Sequence, residues 1–193
     1  MPAVSGIVIL FDGRTGEVLA QVDGGEVTAR RTAAASALAA DYLARKDSAT
    51  HLVVGTGRVA WNLIFAHCAV RSLEKTFIWG RNYDKARAMA ADATKSGANV
   101  EAVEDVEAAT RRSDIISCAT FSADPIVFGD WLQEGAHLDL VGGYRQEVRE
   151  TDDTSIRRAT VFCDTLGGAP KSAGDLTQPC LLYTSPSPRD SMT

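Results

Sequence analysis

Apolar positions along this chain recur with two different periods, and the places where one period gives way to the other mark its elements. The first apolar run, Ser5-Gly-Ile-Val-Ile-Leu-Phe11, is rich in β-branched residues; Asp12-Gly13-Arg14-Thr15-Gly16 supplies turn chemistry, and Glu17 to Val22 extends again. A β-hairpin is expected there. Two strands cannot bury both faces by themselves, so the hairpin calls for a partner sheet or helix that the rest of the chain scarcely offers. From Thr28 to Arg45 an alanine-rich run of high helix propensity predicts one long helix, whose small side chains permit close packing, and Lys46-Asp47-Ser48 ends it.

Beyond this point short apolar strands alternate with amphipathic helices. His51–Val54 reads as a buried strand, Val59–Val70 as a helix, Thr76–Trp79 as a strand and Asp84–Lys95 as a helix. Val100–Val103 follows as a strand, Val106–Arg112 as a short helix, and Asp114–Ala119 and His137–Val141 as two more strands. Thr160–Cys163 is expected to form a sixth strand, preceded by a helix around Thr154 to Arg158. Such an order predicts an α/β fold with a doubly wound parallel sheet, Rossmann-like, and helices on both faces.

Composition acts mainly by exclusion. With 193 residues, 45% hydrophobic and 23% charged, the chain can bury one full core and part of a second. A formal net charge of −5 speaks against a general nucleic-acid binder, whose affinity comes from many cationic contacts. No run approaches the roughly 20 apolar residues of a membrane span, and the start lacks a secretory pattern, so a cytoplasmic protein without membrane or nucleic-acid partners is expected. Cys68, Cys118, Cys163 and Cys180 form no Cys-x-x-Cys pair, and the histidines stand far apart, so neither a zinc site nor a disulfide framework is indicated. Cys68, Cys118 and Cys163 are expected as small buried apolar residues.

The strongest local chemistry is Gly55-Thr56-Gly57-Arg58-Val59-Ala60, set between an apolar strand and a helix. The first glycine of such a turn permits its tightness, the second lets the backbone approach a pyrophosphate, and the third small residue lets helix and strand pack closely. These six residues are therefore the expected cradle of a dinucleotide, over the unpaired N–H groups of a helix start. An acidic residue ending the second strand would select NAD(H); this chain has Gly80-Arg81-Asn82. Arg81 is expected to pair a 2′-phosphate and Asn82 to donate a further hydrogen bond, so NADP(H) is favoured over NAD(H); a merely solvated Arg81 is the alternative. Ala119, Thr120, Val141 and Gly142 lie at carboxyl ends of parallel strands, where doubly wound sheets bind ligands; Ala119 and Thr120 are expected to border the ribose and nicotinamide, with ordinary loop packing as the alternative. Asp139, inside the fifth strand, is read as a structural hydrogen-bonding residue.

Leu10-Phe-Asp-Gly-Arg-Thr-Gly16, Arg31-Thr-Ala-Ala-Ala-Ser36, the glycine turn and Val141-Gly-Gly-Tyr-Arg-Gln-Glu-Val-Arg-Glu150 together resemble the ornithine cyclodeaminase/mu-crystallin family, across nearly everything from Pro2 to Pro179. The resemblance implies a two-domain homodimer in which a dimerisation and substrate domain wraps around the nucleotide-binding one. It also implies further strands, helices and a substrate lysine before Met1, so an N-terminally truncated member is expected. The corresponding boundaries are 1–47 for the remnant of the dimerisation/substrate domain, 48–165 for the dinucleotide-binding domain, 166–179 for a return segment and 180–193 for a tail. That Ser/Pro-rich tail is expected to be disordered, and it resembles translated sequencing-adapter sequence rather than native protein; a natural disordered tail is the alternative.

By the same resemblance Arg31 holds the substrate carboxylate, an inter-element salt bridge being the alternative. Cyclodeaminases of the family place an aspartate after the Val-Gly-Gly segment, where this chain has Tyr144. Phenols ionise near pH ~10 and replace a carboxylate base poorly at neutral pH, which counts against cyclising deamination of ornithine. Members without that aspartate resemble reductases of cyclic imines such as pyrroline-2-carboxylate, or of ketimines. Tyr144 is then a candidate proton donor, or a packing tyrosine. Three readings stay open here: an NADP-dependent imine reductase acting on a small carboxylated substrate, an NAD-dependent lyase taking ornithine to proline and ammonia, and a mu-crystallin-like nucleotide binder without turnover.

Overall fold

The structure, a computed structural model, describes residues 6–179. Strands β1 (Ile7–Phe11) and β2 (Val18–Asp23) pair antiparallel. Asp12 fastens their turn by accepting the backbone N–H groups of Arg14 and Thr15 at 2.7 and 2.8 Å, and Gly16 closes it at φ 75°. The hairpin is a sheet of its own, and apolar side chains on both of its faces stay exposed, Ile7, Leu10, Phe11 and Val18 each by more than half.

Helix α1 (Gly24–Leu43) begins four residues before the expected start. Asp23 caps it, accepting from the Glu26 N–H at 2.7 Å, and Gly24 is there for contact: a Cβ would stand 2.8 Å from the Gly6 backbone. Ala29, Ala33, Ala37 and Ala40, three or four apart, form the buried face, and α1 packs on α2 (Arg58–Val70). Carbonyls in the last turn of α1 also accept from buried Arg71, which donates to Ala40 O and Asp41 O at 2.9 Å and to Ala44 O at 3.3 Å.

The main sheet contains β3 (Thr50–Val54), β4 (Lys75–Trp79), β5 (Val100–Ala102), β6 (Ile115–Cys118) and β7 (His137–Leu140), all parallel, in the order β5-β4-β3-β6-β7. Helices α2 and α3 (Tyr83–Lys95) carry the crossovers on one side of β3, and α4 (Val106–Thr110) precedes the return to β6 on the other. Alternate residues of β3 feed two cores. Val53 joins Leu63, Ile64 and Ile78 beneath α2 and α3, whereas Leu52 and Val54 join Phe77, Ile116 and Val127 on the opposite face. After β7 a loop leads to α5 (Asp153–Arg158), and α6 (Ala169–Ser172) and α7 (Gly174–Thr177) fold back so that the Gly174 N–H reaches Gly143 O at 2.9 Å.

Two expectations fail here. Thr160–Cys163 forms no strand: the sheet ends at β7, and Val161 and Phe162 lie 47% and 64% exposed. A β-branched run becomes a strand only beside a free ladder edge, which this segment does not reach. Of the three described cysteines only Cys118 is buried, while Cys68 and Cys163 are exposed. The helical phase set by Ala60, Leu63, Ile64 and His67 turns Cys68 outward, and Cys163 lies in the irregular stretch just named. The tail expected at 180–193 falls outside the described residues. Among those residues no helix is long and apolar enough to cross a membrane.

Candidate functional site

The chain leaves β3 toward β4 on one side and later crosses to β6 on the other, so the strand order reverses at the carboxyl end of β3. A crevice opens at such a reversal. Here it is a cleft of about 310 Å³, lined by Gly55 and Thr56 after β3, by Gly80, Arg81 and Asn82 after β4, and by Ala119, Thr120 and Phe121 after β6.

Gly55 adopts φ +134°, donates its N–H to Trp79 O at 2.8 Å, and would place a Cβ 2.6 Å from Ala119 O. Only glycine fits between those neighbours. Gly57 is the N-cap of α2 and lacks any side-chain cap; a Cβ there would meet nothing within 4 Å, so open space lies over this helix start. Ala60 is fully buried against the sheet. Arg58 leans back to Asp23 at 3.5 Å and Val59 packs toward the core, so neither side chain lines the cleft; what this corner offers a ligand is backbone N–H.

At the other end Arg81 is exposed, and Asn82 caps α3 by accepting the Lys85 N–H at 3.0 Å, which leaves its amide NH₂ free to donate. Lys85 also lines the cleft. Sequence reasoning missed it; the available signal was its place four residues after Arg81, in the first turn of the helix. Asp84 instead pairs with Arg87 at 2.9 Å, and no carboxylate is among the lining residues.

The far wall is held from behind by a residue that was read only as the end of a motif. Glu150, fully buried, accepts the Thr120 N–H and Thr120 hydroxyl on Oε1 and the Gly142 N–H on Oε2, each at 2.6 Å. Burial pushes its pKa up to about 7 against the pull of those hydrogen bonds, and neighbouring Asp175 adds to the rise. Val141 and Gly142 stand behind this wall rather than in the cleft lining. Tyr144 is about half exposed, its ring 5.8 Å from that of Phe121, with the Arg145 guanidinium 5.4 Å from Phe121. Arg31 is exposed on α1, outside the cleft lining, and makes no ion pair among the described residues.

The histidines, read as isolated, converge on Asp139 inside the α2 face of the sheet. Asp139 Oδ2 accepts from His67 Nε2 at 3.1 Å and from the Ser117 hydroxyl at 2.9 Å, and Oδ1 accepts from His137 Nε2 at 2.9 Å. His51 donates to Ser117 Oγ at 3.0 Å, and its ring lies 4.3 Å from that of His67. Parallel pairing brings them together: Ser117 stands opposite Asp139, and His51, Ile115 and His137 share a rung. Burial would raise the Asp139 pKa, but hydrogen bonds from His137 and His67 outweigh it and hold the carboxyl far below its usual range. Burial, reinforced by His67, pushes His51 well below its ordinary value. Asp139 is thus structural, as expected. His67 and His137 bond the carboxylate directly and His51 reaches it through Ser117, and among the described residues no group is arranged to hold a metal ion.

Fold and cleft together define a Rossmann-type α/β unit with a crevice where its strand order reverses. The chain belongs to the ornithine cyclodeaminase/mu-crystallin family, whose model matches residues 1–187. It is 39% identical over 181 residues to the Delta(1)-pyrroline-2-carboxylate reductase of Colwellia psychrerythraea, covering 93% of this chain and 57% of that protein. To the ketimine reductase mu-crystallin of Mus musculus it is 34% identical over 176 residues, covering 91% and 55%. The structure of Thermococcus litoralis Delta(1)-pyrroline-2-carboxylate reductase in complex with NADH and L-proline aligns with a TM-score of 0.85 at 34% identity, covering 95% of this chain and 57% of that one. The chain therefore spans a little over half the length of these relatives.

Proposed function

We propose that the chain is the nucleotide-binding part of a reductase of cyclic imines and ketimines, of the pyrroline-2-carboxylate type, that favours NADP(H) over NAD(H). One observation carries the cofactor reading: the end of the cleft beyond β4 presents Arg81, Asn82 and Lys85 and no carboxylate. A guanidinium can grip a 2′-phosphate through two parallel hydrogen bonds, whereas a carboxylate at that place would repel it. Gly57 leaves room for a pyrophosphate against the start of α2, a helix of 13 residues whose first N–H groups and dipole favour negative charge. When bound, the nicotinamide supplies a hydride to an imine carbon.

The residues of this chain would then orient the substrate and manage one proton. Arg31 would hold its carboxylate and Tyr144 would donate the proton, in a cytoplasmic homodimer whose exposed β1–β2 hairpin contributes to the pairing. Tyr144, in place of an aspartate, favours reduction over cyclising deamination. Nucleotide binding without turnover is the second reading, and the position of Arg31 outside the cleft lining favours it.

Calorimetric titration tests the cofactor reading. NADPH should bind more tightly than NADH, and Arg81→Ala should weaken NADPH about tenfold while changing NADH less than about twofold. Equal losses for both nucleotides would remove the assignment of Arg81. Oxidation of NADPH in the presence of Delta(1)-pyrroline-2-carboxylate then separates reductase from silent binder, and release of ammonia and proline from ornithine would establish the lyase instead.

A further inference from the structure

We infer that Glu150 is a positioning residue for the nicotinamide half of the dinucleotide: its buried carboxylate ties together the segments leaving β6 and β7 and so sets the wall against which that half lies. The inference rests on the dinucleotide reading of the cleft and deepens it.

The parallel ladder between β6 and β7 ends with the Val141 N–H bonded to Cys118 O at 2.9 Å. One step further, the N–H groups of Thr120 and Gly142 have run out of ladder partners. Both turn to Glu150, as does the Thr120 hydroxyl. The two segments are also in close contact, since a Cβ on Gly142 would stand 1.8 Å from Thr120 O. Thr120 therefore has neither donor left for a ligand; it serves the cleft through where its backbone lies, and Phe121 follows directly from it along the lining.

Glu150 is itself fixed from two sides. Its N–H donates to Asp175 Oδ1 at 2.7 Å, and its carbonyl accepts the N–H groups of Ile126 and Val127 at 2.9 and 3.1 Å. Among the described residues no Lys, Arg or His stands within 4 Å of its carboxylate, so three hydrogen bonds alone oppose the cost of burial. A neutral amide cannot replace it. Both carboxylate oxygens accept, whereas a glutamine would aim an NH₂ at one of the N–H groups and leave a buried donor unpaired.

The test uses the whole chain and two probes, ADP-ribose for the half of the cleft beyond β4 and NADPH for both halves. In Glu150→Gln, ADP-ribose affinity should stay within about twofold of the parent, while NADPH should bind about tenfold more weakly and lose the blue shift of its nicotinamide fluorescence. A general loss of folding would weaken both ligands alike. Should Glu150→Gln not give a cooperative thermal melt, Thr120→Val, which exchanges the hydroxyl for a methyl and keeps the backbone N–H, replaces it, with about a threefold selective loss of NADPH expected. A variant that binds NADPH like the parent, or loses both ligands in equal proportion, overturns the role of Glu150 alone. A parent chain that binds neither ligand overturns the dinucleotide reading as well.

Discussion

Asp139 gathers three hydrogen-bond donors where water is excluded, and that fixes what a change there must do. His67 is held at both ring nitrogens, Nδ1 against Leu63 O at 3.0 Å and Nε2 against Asp139 Oδ2 at 3.1 Å. Asp139→Asn puts an NH₂ where one of the accepting oxygens stood, leaves a buried donor unpaired and should destabilise the protein by about 2 kcal/mol, read as a lower urea midpoint at unchanged m-value. A loss under about 0.5 kcal/mol, the size of an ordinary surface substitution, would mean that the hydrogen bonds to Asp139 do not hold the cluster together. At this scale chemistry was legible where it is written locally. The glycines of the 55–60 turn and Arg81 after β4 could be read from order alone. Glu150 could not, because its partners Thr120 and Gly142 are 30 and 8 residues away and are brought near only by adjacent strands.

The elements were legible wherever period and capping agree. Most boundaries in the sheet lie within a residue or two of expectation, because short apolar runs bounded by glycine or polar residues leave little choice. Helix α1 shows both limits of such reading. Its start was missed since Gly24-Gly25 look like a break, yet Asp23 caps them into the helix. Its end is held from another element: Arg71, after α2, donates to carbonyls in the last turn of α1 and pairs with Asp41 at 2.5 Å. Arg71→Ala should therefore cost about 2 kcal/mol and speed amide exchange selectively in the last turn of α1. Exchange that rises equally along the whole helix would show that Arg71 acts by packing alone.

Across the whole molecule the buried ionisable groups pull in opposite directions with pH. His51, depressed, contributes stability that is lost as pH falls below its ordinary value of about 6.5, and Asp139, also depressed, contributes stability lost as pH falls below about 3.8. Glu150, raised to about 7, contributes stability present below its ordinary 4.5 and lost as pH rises through 7. The melting temperature of Glu150→Gln relative to the parent should accordingly climb between pH 4.5 and 7 and level off outside that window; a flat difference would show that Glu150 titrates as an ordinary carboxyl. The apolar hairpin is the other property of the whole: as expected from two strands with no partner, its faces stay open among the described residues. By itself the sequence determined the α/β alternation, the family and the glycine corner, because periodicity, turn chemistry and a contiguous motif are properties of neighbouring residues. The tertiary structure alone decided that 160–163 finds no sheet edge, that two distant histidines and Ser117 share one carboxylate, and that Glu150 braces the cleft, since parallel strands bring distant residues into register and only the folded chain says which.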